Sequence, residues 1–229
     1  MTGSPRPPEA LRETVKRDLA PVQPLLSPPR RSLALAVWVP LALLVVLSTL
    51  GLRRDGEVLG WALTWGVGLV DVAAGLVLVA LALSSAAPGR GPARTTAFAV
   101  LGLSIAALVG GAVATRAAST GLPASPPFGP ASVACFSLEF FVGLSALLVV
   151  GRLVLKAAPL RAAWTGLLGG TGAGVMAEGI YRLHCRITDL THVLVWHGAA
   201  LVALVLLGAA VGTVRDRREE RRLLARLSR

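Results

Sequence analysis

The sequence predicts an all-α polytopic membrane protein, a bundle of six transmembrane helices with both termini in the cytoplasm. Three observations predict this fold. Of the 229 residues, 54% are hydrophobic and only 15% are charged, whereas charged residues make up about 25% of soluble domains. Six apolar stretches have about the length that crosses some 30 Å of hydrocarbon. Arginines flank these stretches, which is typical of membrane proteins. An ordinary soluble domain and a disordered chain are therefore excluded.

The six predicted spans cover residues 33–52, 58–83, 97–115, 131–151, 163–180 and 190–213. They divide the chain into a cytoplasmic N-terminal segment (1–32), a transmembrane domain (33–213) and a basic C-terminal tail (214–229). Helices are favoured because the stretches lack two-residue alternation and are too long for barrel strands. The first stretch begins too far along the chain for a cleaved signal peptide, so we expect the N-terminus to be retained.

The lysines and arginines predict the orientation of the bundle. With both tails inside, 18 of them lie on the cytoplasmic side and five lie outside, as the positive-inside rule requires. An even number of spans also requires both tails to be on the same side. The connections after the first, third and fifth spans then face outward.

Residues 9–19 predict a short amphipathic helix in the N-terminal segment. Leu11, Val15 and Leu19 lie four residues apart and share one face, and charged residues occupy the others. This helix either lies on anionic lipid or docks its apolar face in the groove of a partner. The C-terminal tail also has a leucine stripe among arginines, which favours an anchor on lipid head groups.

Three carboxylic acids lie within predicted spans, where ionisable groups are costly and are candidates for function. They are Asp71, Glu139 and Glu178. The alternative is that each is protonated or hydrogen-bonded between helices. The fifth span also has a ridge of small residues that allows close helix contact: Gly166, Gly170 and Gly174.

The predicted topology places both cysteines and all three histidines at the outer face: Cys135, His184, Cys185, His192 and His197. Such a set suits a soft metal ion, a reversible disulfide or a pH-dependent charge. Its spacing is not a recognised zinc pattern. His192 and His197 are separated by about 500° of α-helical rotation, so we expect them not to ligate one ion together unless the start of the helix is irregular.

Two stretches resemble a known family. One is Asp-Leu-Ala-Pro-Val-Gln-Pro-Leu, residues 18–25, just before the first span. The other is Leu-His-Cys, residues 183–185, followed by His-Val-Leu-Val-Trp-His-Gly, residues 192–198, with Cys135 upstream. From about residue 18 to residue 213, the chain resembles the six-span anti-sigma factors of the NrsF type (negative regulator of sigma F). It is also similar to the myxobacterial light-response regulator CarR.

The resemblance implies a bacterial inner-membrane protein that holds an extracytoplasmic-function sigma factor inactive. A stress signal, whether redox, metal or light, would release the sigma factor, and carotenoid genes would be the target if the chain acts as CarR does. Cys135 and Cys185 would be the signal-sensitive pair. The N-terminal segment would bind the sigma factor, with Leu11, Val15 and Leu19 as apolar anchors. Arg186 stands where the family often has proline.

The same resemblance implies a regulator rather than an enzyme, with no direct contact to nucleic acid. No cofactor is required, although the outer cysteines and histidines could hold a metal ion, with His184, His192 and His197 as sensing residues beside the thiols.

Two other functions stay open. One is a small membrane thiol oxidoreductase, although the chain has no Cys-x-x-Cys motif. The other is a proton-coupled transporter that uses Asp71, Glu139 and Glu178, although no internal repeat is evident. The substitution Asp71→Asn should abolish transport, whereas an anti-sigma factor should instead lose its function when residues 1–25 are deleted.

Overall fold

The structure is a computed structural model that describes residues 8–18, 27–87, 91–120, 126–157 and 159–228. Every regular element in these ranges is helical, which confirms the predicted all-α class. The elements are α1 (Glu9–Asp18), α2 (Pro28–Leu50), α3 (Gly56–Trp61), a π-helical turn (Ala62–Gly66), α4 (Val67–Ser85), α5 (Arg94–Ala118), α6 (Pro130–Leu155), α7 (Ala162–Tyr181), α8 (Leu190–His192), a second π-helical turn (Val193–His197) and α9 (Gly198–Leu227).

In the part of the chain that the structure describes, five helical segments are long and apolar enough to cross a membrane: Arg30–Leu50, Gly56–Ser85, Arg94–Ala118, Pro130–Leu155 and Leu190–Leu227. They correspond to five of the six predicted spans. The remaining stretch, 163–180, does form a helix, α7, but this helix is not among those that qualify by composition. Its six glycines and Glu178 lower its hydropathy.

Helix α7 is the centre of the bundle. Sixteen of its 20 residues are buried, and it packs against α4, α6 and α9. At 1.5 Å per residue it is about 30 Å long, which matches the hydrocarbon thickness of a bilayer. Because other helices surround it, its surface does not need the hydropathy of a helix that faces lipid.

Glycines bring the backbone of α7 against its two main neighbours, which confirms the predicted ridge. A Cβ atom on Gly170 would lie 2.5 Å from the carbonyl oxygen of Leu204 in α9, and one on Gly174 would lie 3.2 Å from Leu201 Cγ. On the opposite face, a Cβ atom on Gly172 would lie 2.8 Å from the carbonyl oxygen of Gly75 in α4. Small residues therefore set the spacing of α4, α7 and α9.

The second predicted span is interrupted near its start. Gly60 has φ of 74° within Gly56–Trp61, a left-handed conformation that glycine adopts without a steric penalty. A π-helical turn, Ala62–Gly66, follows before α4 begins. The expectation of one regular helix over 58–83 is thus wrong at this end, because apolar composition does not reveal backbone irregularities.

The last helix extends well beyond the predicted end at residue 213 and continues to Leu227. Its Asp216 accepts hydrogen bonds from the backbone N–H groups of Ala162 (2.8 Å) and Ala163 (2.9 Å), where α7 begins. Near the same end, the Arg31 guanidinium of α2 donates to the Leu153 carbonyl of α6. The start of α2 and the distal part of α9 therefore lie at the same end of the bundle.

Candidate functional site: a buried cysteine and histidine cluster

At the opposite end of the bundle, four side chains from separate segments meet. Cys135 lies in the second turn of α6, Cys185 in the connection after α7, His192 at the end of α8 and His197 at the end of the second π-helical turn. All four are buried, and one ligand atom from each lies within 4.8 Å of the others. We call these four residues the Cys/His cluster. Four of the five predicted sensing residues are thus brought together.

The two sulfur atoms are neighbours and the thiols are free. Cys135 Sγ lies 3.8 Å from Cys185 Sγ, and Cys185 Sγ lies 3.6 Å from His192 Nε2. The hydrogen bond with Cys135 and burial both raise the pKa of the Cys185 thiol well above its ordinary value. Without a further positive partner such as a metal ion, Cys185 is therefore a thiol rather than a thiolate at neutral pH.

The second π-helical turn corrects the expectation that His192 and His197 point in different directions. The Gly198 N–H bonds to the Val193 carbonyl, five residues earlier, so this turn is wider than an α-helical one. The two imidazole rings consequently lie with their centroids 5.2 Å apart. The start of the helix is irregular, which is the condition under which both histidines could serve one ion.

The cluster is positioned by capping and by loop contacts. Asp189 is the N-cap of α8, and its carboxylate accepts a hydrogen bond of 3.1 Å from the His192 backbone N–H. Ser132 Oγ donates to the Pro127 carbonyl at 3.0 Å and lies 3.1 Å from His192 Nδ1. The Trp196 indole N–H also donates to the Pro127 carbonyl at 3.0 Å. The connection before α6 is thereby tied to the start of the last helix.

His184, the fifth predicted sensing residue, has a different position. Its Nδ1 lies 3.0 Å from the Gly51 carbonyl oxygen, and its ring packs against Tyr181 with centroids 5.6 Å apart. It is not among the four residues that could hold one ion. Its contacts indicate that it fixes the connection after α7 to the end of α2.

Buried ionisable groups continue from the cluster into the bundle. His197 Nδ1 lies 2.6 Å from Glu178 Oε2 and 2.7 Å from Glu139 Oε2. Arg182 donates to Glu178 Oε1 at 2.8 Å, and its Nε lies 3.4 Å from Asp71 Oδ2. The three carboxylic acids that the sequence singles out therefore share one network with a histidine and an arginine. Sequence analysis did not identify Arg182 as their partner. It used this arginine only as one of the positive charges that predict the orientation of the bundle.

A second arginine joins the two connections at this end. Arg53 binds both Asp55 oxygens at 2.8 Å, and its backbone N–H donates to the Leu183 carbonyl at 2.8 Å. Partial burial opposes ionisation of Asp55, but the hydrogen bonds and charge of Arg53 outweigh it and hold the pKa of Asp55 below its ordinary value. The connection between α2 and α3 is thereby fastened to the one after α7.

Among the described residues, a small cavity and a larger groove lie beside the cluster. A cavity of about 20 Å³, which is enough for about one water molecule, touches Cys185, His197 and Arg182. A groove of about 730 Å³ is lined by residues that include Ser132 and Arg186. Because Ser132 also contacts His192, the groove is adjacent to the cluster.

The predicted amphipathic helix is present as Glu9–Asp18. Two of its three predicted anchors are about half exposed, Leu11 at 54% and Val15 at 50%. The third, Leu19, lies outside the described residues. An apolar stripe on a short, charged helix is thus available for contact with lipid or with another protein.

Comparison with protein families gives one decisive match. The family described as negative regulator of sigma F, NrsF, matches residues 16–215, which is most of the 229-residue chain. The chain belongs to the NrsF family. Comparison with curated proteins gives no match, and comparison with solved structures gives none. The match to NrsF includes the whole Cys/His cluster, whereas Leu11 and Val15 lie just before it.

Proposed function

We propose that this NrsF-family chain is a membrane-bound anti-sigma factor that holds an extracytoplasmic-function sigma factor at the bacterial inner membrane. The observation that carries this proposal is the family match over residues 16–215, since the family is described as a negative regulator of a sigma factor. Such a regulator acts by binding, so this function requires no catalysis. The sigma factor is the protein partner, and the chain needs no direct contact with nucleic acid.

The bilayer is the second partner. Helix α2 shows why lipid is the expected surrounding, since Leu33, Val37, Leu41 and Leu44 are all well exposed along one side of it. A row of this kind would be unfavourable in water. Five apolar helices together with α7 would make six spans, and the positive-inside rule then favours both termini in the cytoplasm. The contacts of Arg31 and Asp216 at one end of the bundle support a shared side for the two tails.

The N-terminal segment is our candidate for the sigma-factor contact. It would face the cytoplasm, where the sigma factor is. The half-exposed side chains of Leu11 and Val15 lie on one face of α1, and they suit an apolar groove. Burial of one such side chain contributes about 1.5–3 kcal/mol. Because each side chain is already about half covered, docking would gain about half of this value, and together the two would account for about 10- to 150-fold in affinity.

The Cys/His cluster is our candidate for receipt of the signal. Its two sulfur atoms, 3.8 Å apart, could close a disulfide if an oxidant accepted two electrons and the thiols lost two protons. To change the ratio of two states from 99:1 to 1:99, the signal must supply about 5.5 kcal/mol. A difference of about 120 mV in a two-electron potential corresponds to that energy. Control of carotenoid genes stays a prediction that rests on the resemblance to CarR alone.

The contacts of the buried carboxylic acids favour the anti-sigma function over the alternative of a proton-coupled transporter. Asp71 and Glu178 both lie at ion-pair distance from Arg182. Removal of one partner from a buried ion pair is strongly destabilising, so these contacts fit a structural role. We therefore assign Asp71 to the stability of the bundle.

Co-purification tests the contact with the sigma factor. The full-length chain, solubilised in detergent, should retain an extracytoplasmic-function sigma factor from the same cell. The double substitution Leu11→Glu and Val15→Glu should weaken retention by about tenfold or more. The matched control is Leu223→Glu with Leu227→Glu, which changes an exposed leucine stripe in the other tail.

Three results would count against parts of this proposal. Failure of the wild-type chain to bind any sigma factor would overturn the function. Unchanged binding by the Leu11 and Val15 variant would remove the N-terminal segment from the interface. If the Leu223 and Leu227 control loses as much sigma-factor retention as the Leu11 and Val15 variant, the effect is due to added charge or altered membrane insertion.

A further inference from the structure

Two distances within the Cys/His cluster match those of a tetrahedral metal site, and all four ligand atoms lie within 4.8 Å of one another. Zinc lies about 2.3 Å from cysteine sulfur and about 2.0–2.1 Å from histidine nitrogen. At tetrahedral angles these lengths put two sulfur ligands about 3.8 Å apart, and a sulfur and a nitrogen about 3.5 Å apart. The corresponding distances are 3.8 Å between Cys135 Sγ and Cys185 Sγ, and 3.6 Å between Cys185 Sγ and His192 Nε2.

Hydrogen bonds set the proton on His192 in the form that a metal ligand requires. The Ser132 hydroxyl donates to the Pro127 carbonyl, so its oxygen accepts the bond from His192 Nδ1. Nδ1 therefore carries the hydrogen of the neutral ring, and Nε2 keeps a free lone pair. That lone pair belongs to the nitrogen that lies beside Cys185 Sγ.

His197 is held in the same way by an acidic partner. Its Nδ1 bonds to Glu178 Oε2 at 2.6 Å, an arrangement that fixes and orients many metal-binding histidines. Its Nε2 is buried and has no hydrogen-bond partner among the described residues. A buried nitrogen without a partner is unfavourable, and a metal ion in the cluster would remove that cost.

We propose that the cluster binds one zinc ion through Cys135 Sγ, Cys185 Sγ, His192 Nε2 and His197 Nε2. Two thiolates balance the charge of a divalent ion, which suits a buried site. Both thiols would release their protons to solvent when the ion binds. Four protein ligands leave no open position, so the site would be structural or regulatory rather than hydrolytic. This inference is independent of sigma-factor binding, because it concerns the metal content of the chain.

Such an ion would connect three parts of the fold. It would join the second turn of α6, the connection after α7 and the irregular start of the last helix. It would also exclude a disulfide, since both sulfur atoms would be ligands. Loss of the ion and oxidation of the thiols would then be linked events at one site.

Metal loading of the full-length chain tests the inference. The protein, purified in detergent micelles under reducing conditions, is incubated with Zn²⁺ or Co²⁺ and desalted, and its metal content is measured. We expect one ion per chain. With Co²⁺ we also expect the visible absorption of a tetrahedral site and near-ultraviolet charge transfer from thiolate. Zinc should slow alkylation of both cysteines.

Variants separate the proposed ligands from their neighbours. Cys185→Ser and His192→Gln should each lose stoichiometric binding, whereas Ser132→Ala should weaken affinity by about tenfold through the orientation of His192. His184→Gln is the matched control and should still bind one ion, because His184 contacts the Gly51 carbonyl instead.

Several outcomes would overturn the inference. One is a wild-type chain that retains no ion after desalting, and another is bound Co²⁺ that gives no thiolate charge transfer. A Cys185→Ser variant with wild-type metal content and spectrum would also contradict it. The wild-type cobalt spectrum decides the question even if a ligand variant fails to fold.

Discussion

A methyl group at the contact between α7 and α9 should destabilise the bundle measurably. In Gly170→Ala the new Cβ atom would lie 2.5 Å from the Leu204 carbonyl oxygen. Ordinary contacts of a Cβ atom begin at 3.4 Å, so the two backbones must separate by about 0.9 Å. A gap of that size forfeits about a quarter to a half of the dispersion energy of each contact that it opens.

The expected cost is about 1–3 kcal/mol, the usual range for overpacking. It corresponds to about a 5- to 150-fold loss in the ratio of folded to unfolded protein. For a chain of this size the melting temperature should fall by about 2–12 °C. Thermal unfolding of the full-length protein in detergent, followed by circular dichroism, measures this shift.

Gly110→Ala is the matched control. Gly110 lies inside α5, and apart from its own helix no atom of the described residues comes within 4 Å of the position that its Cβ would take. Alanine favours helix over glycine by about 0.5–1 kcal/mol, so this variant should melt at the wild-type temperature or slightly above. If Gly170→Ala and Gly110→Ala have the same melting temperature, the close approach of α7 and α9 does not limit stability. That result would contradict the expected cost of Gly170→Ala.

Three further changes test contacts elsewhere. Arg182→Met leaves two buried carboxylic acids without their guanidinium and should cost about 3–5 kcal/mol, whereas Arg222→Met on the exposed part of α9 should change the melting temperature little. Asp216→Ala removes both hydrogen bonds to the start of α7 and should cost about 0.5–2 kcal/mol, and Glu219→Ala, one turn further along, should cost almost nothing. Asp55→Asn should lower the free energy of unfolding at pH 7. Because the folded-state pKa of Asp55 is depressed, the contribution of its carboxylate to stability is fully present above the unfolded pKa of about 3.9. This contribution is lost as the pH falls through the lower folded-state pKa. Unfolding of wild type and variant at pH 7 and pH 3 should therefore show a difference that shrinks in acid, and a constant difference would contradict this.

The sequence predicts the outer helices of the bundle well and its centre less well. These outer helices are uniformly apolar, so their positions follow from hydropathy alone. Helix α7 contacts mainly other helices, and glycines that allow close packing replace bulky side chains in it. Its existence is predictable from the glycine ridge. Its central place is a property of the whole bundle.

The candidate site shows a similar division. Topology alone places both cysteines and the histidines at one face, because loop order fixes which connections are neighbours. It does not predict that His184 turns toward Gly51 or that a π-helical turn aligns His192 with His197. Both depend on backbone detail that side-chain patterns do not encode. Arg182 is not predicted as a buried residue for a further reason. An arginine next to an apolar stretch is normally interpreted as a flanking charge that indicates the orientation of the helix.

The unbroken course of the last helical segment has a mechanical consequence. Leu190–Leu227 contains 38 residues, which at 1.5 Å each form a rod of about 57 Å. Two residues of the cluster lie at one extremity, and the basic tail lies at the other. A tilt of about 4° at the π-helical turn would displace the far extremity by about 3 Å, because the 30 residues of α9 that follow the turn are about 45 Å long. A small rearrangement around two sulfur atoms would thus be magnified into a shift the size of a hydrogen bond at the other end of the bundle.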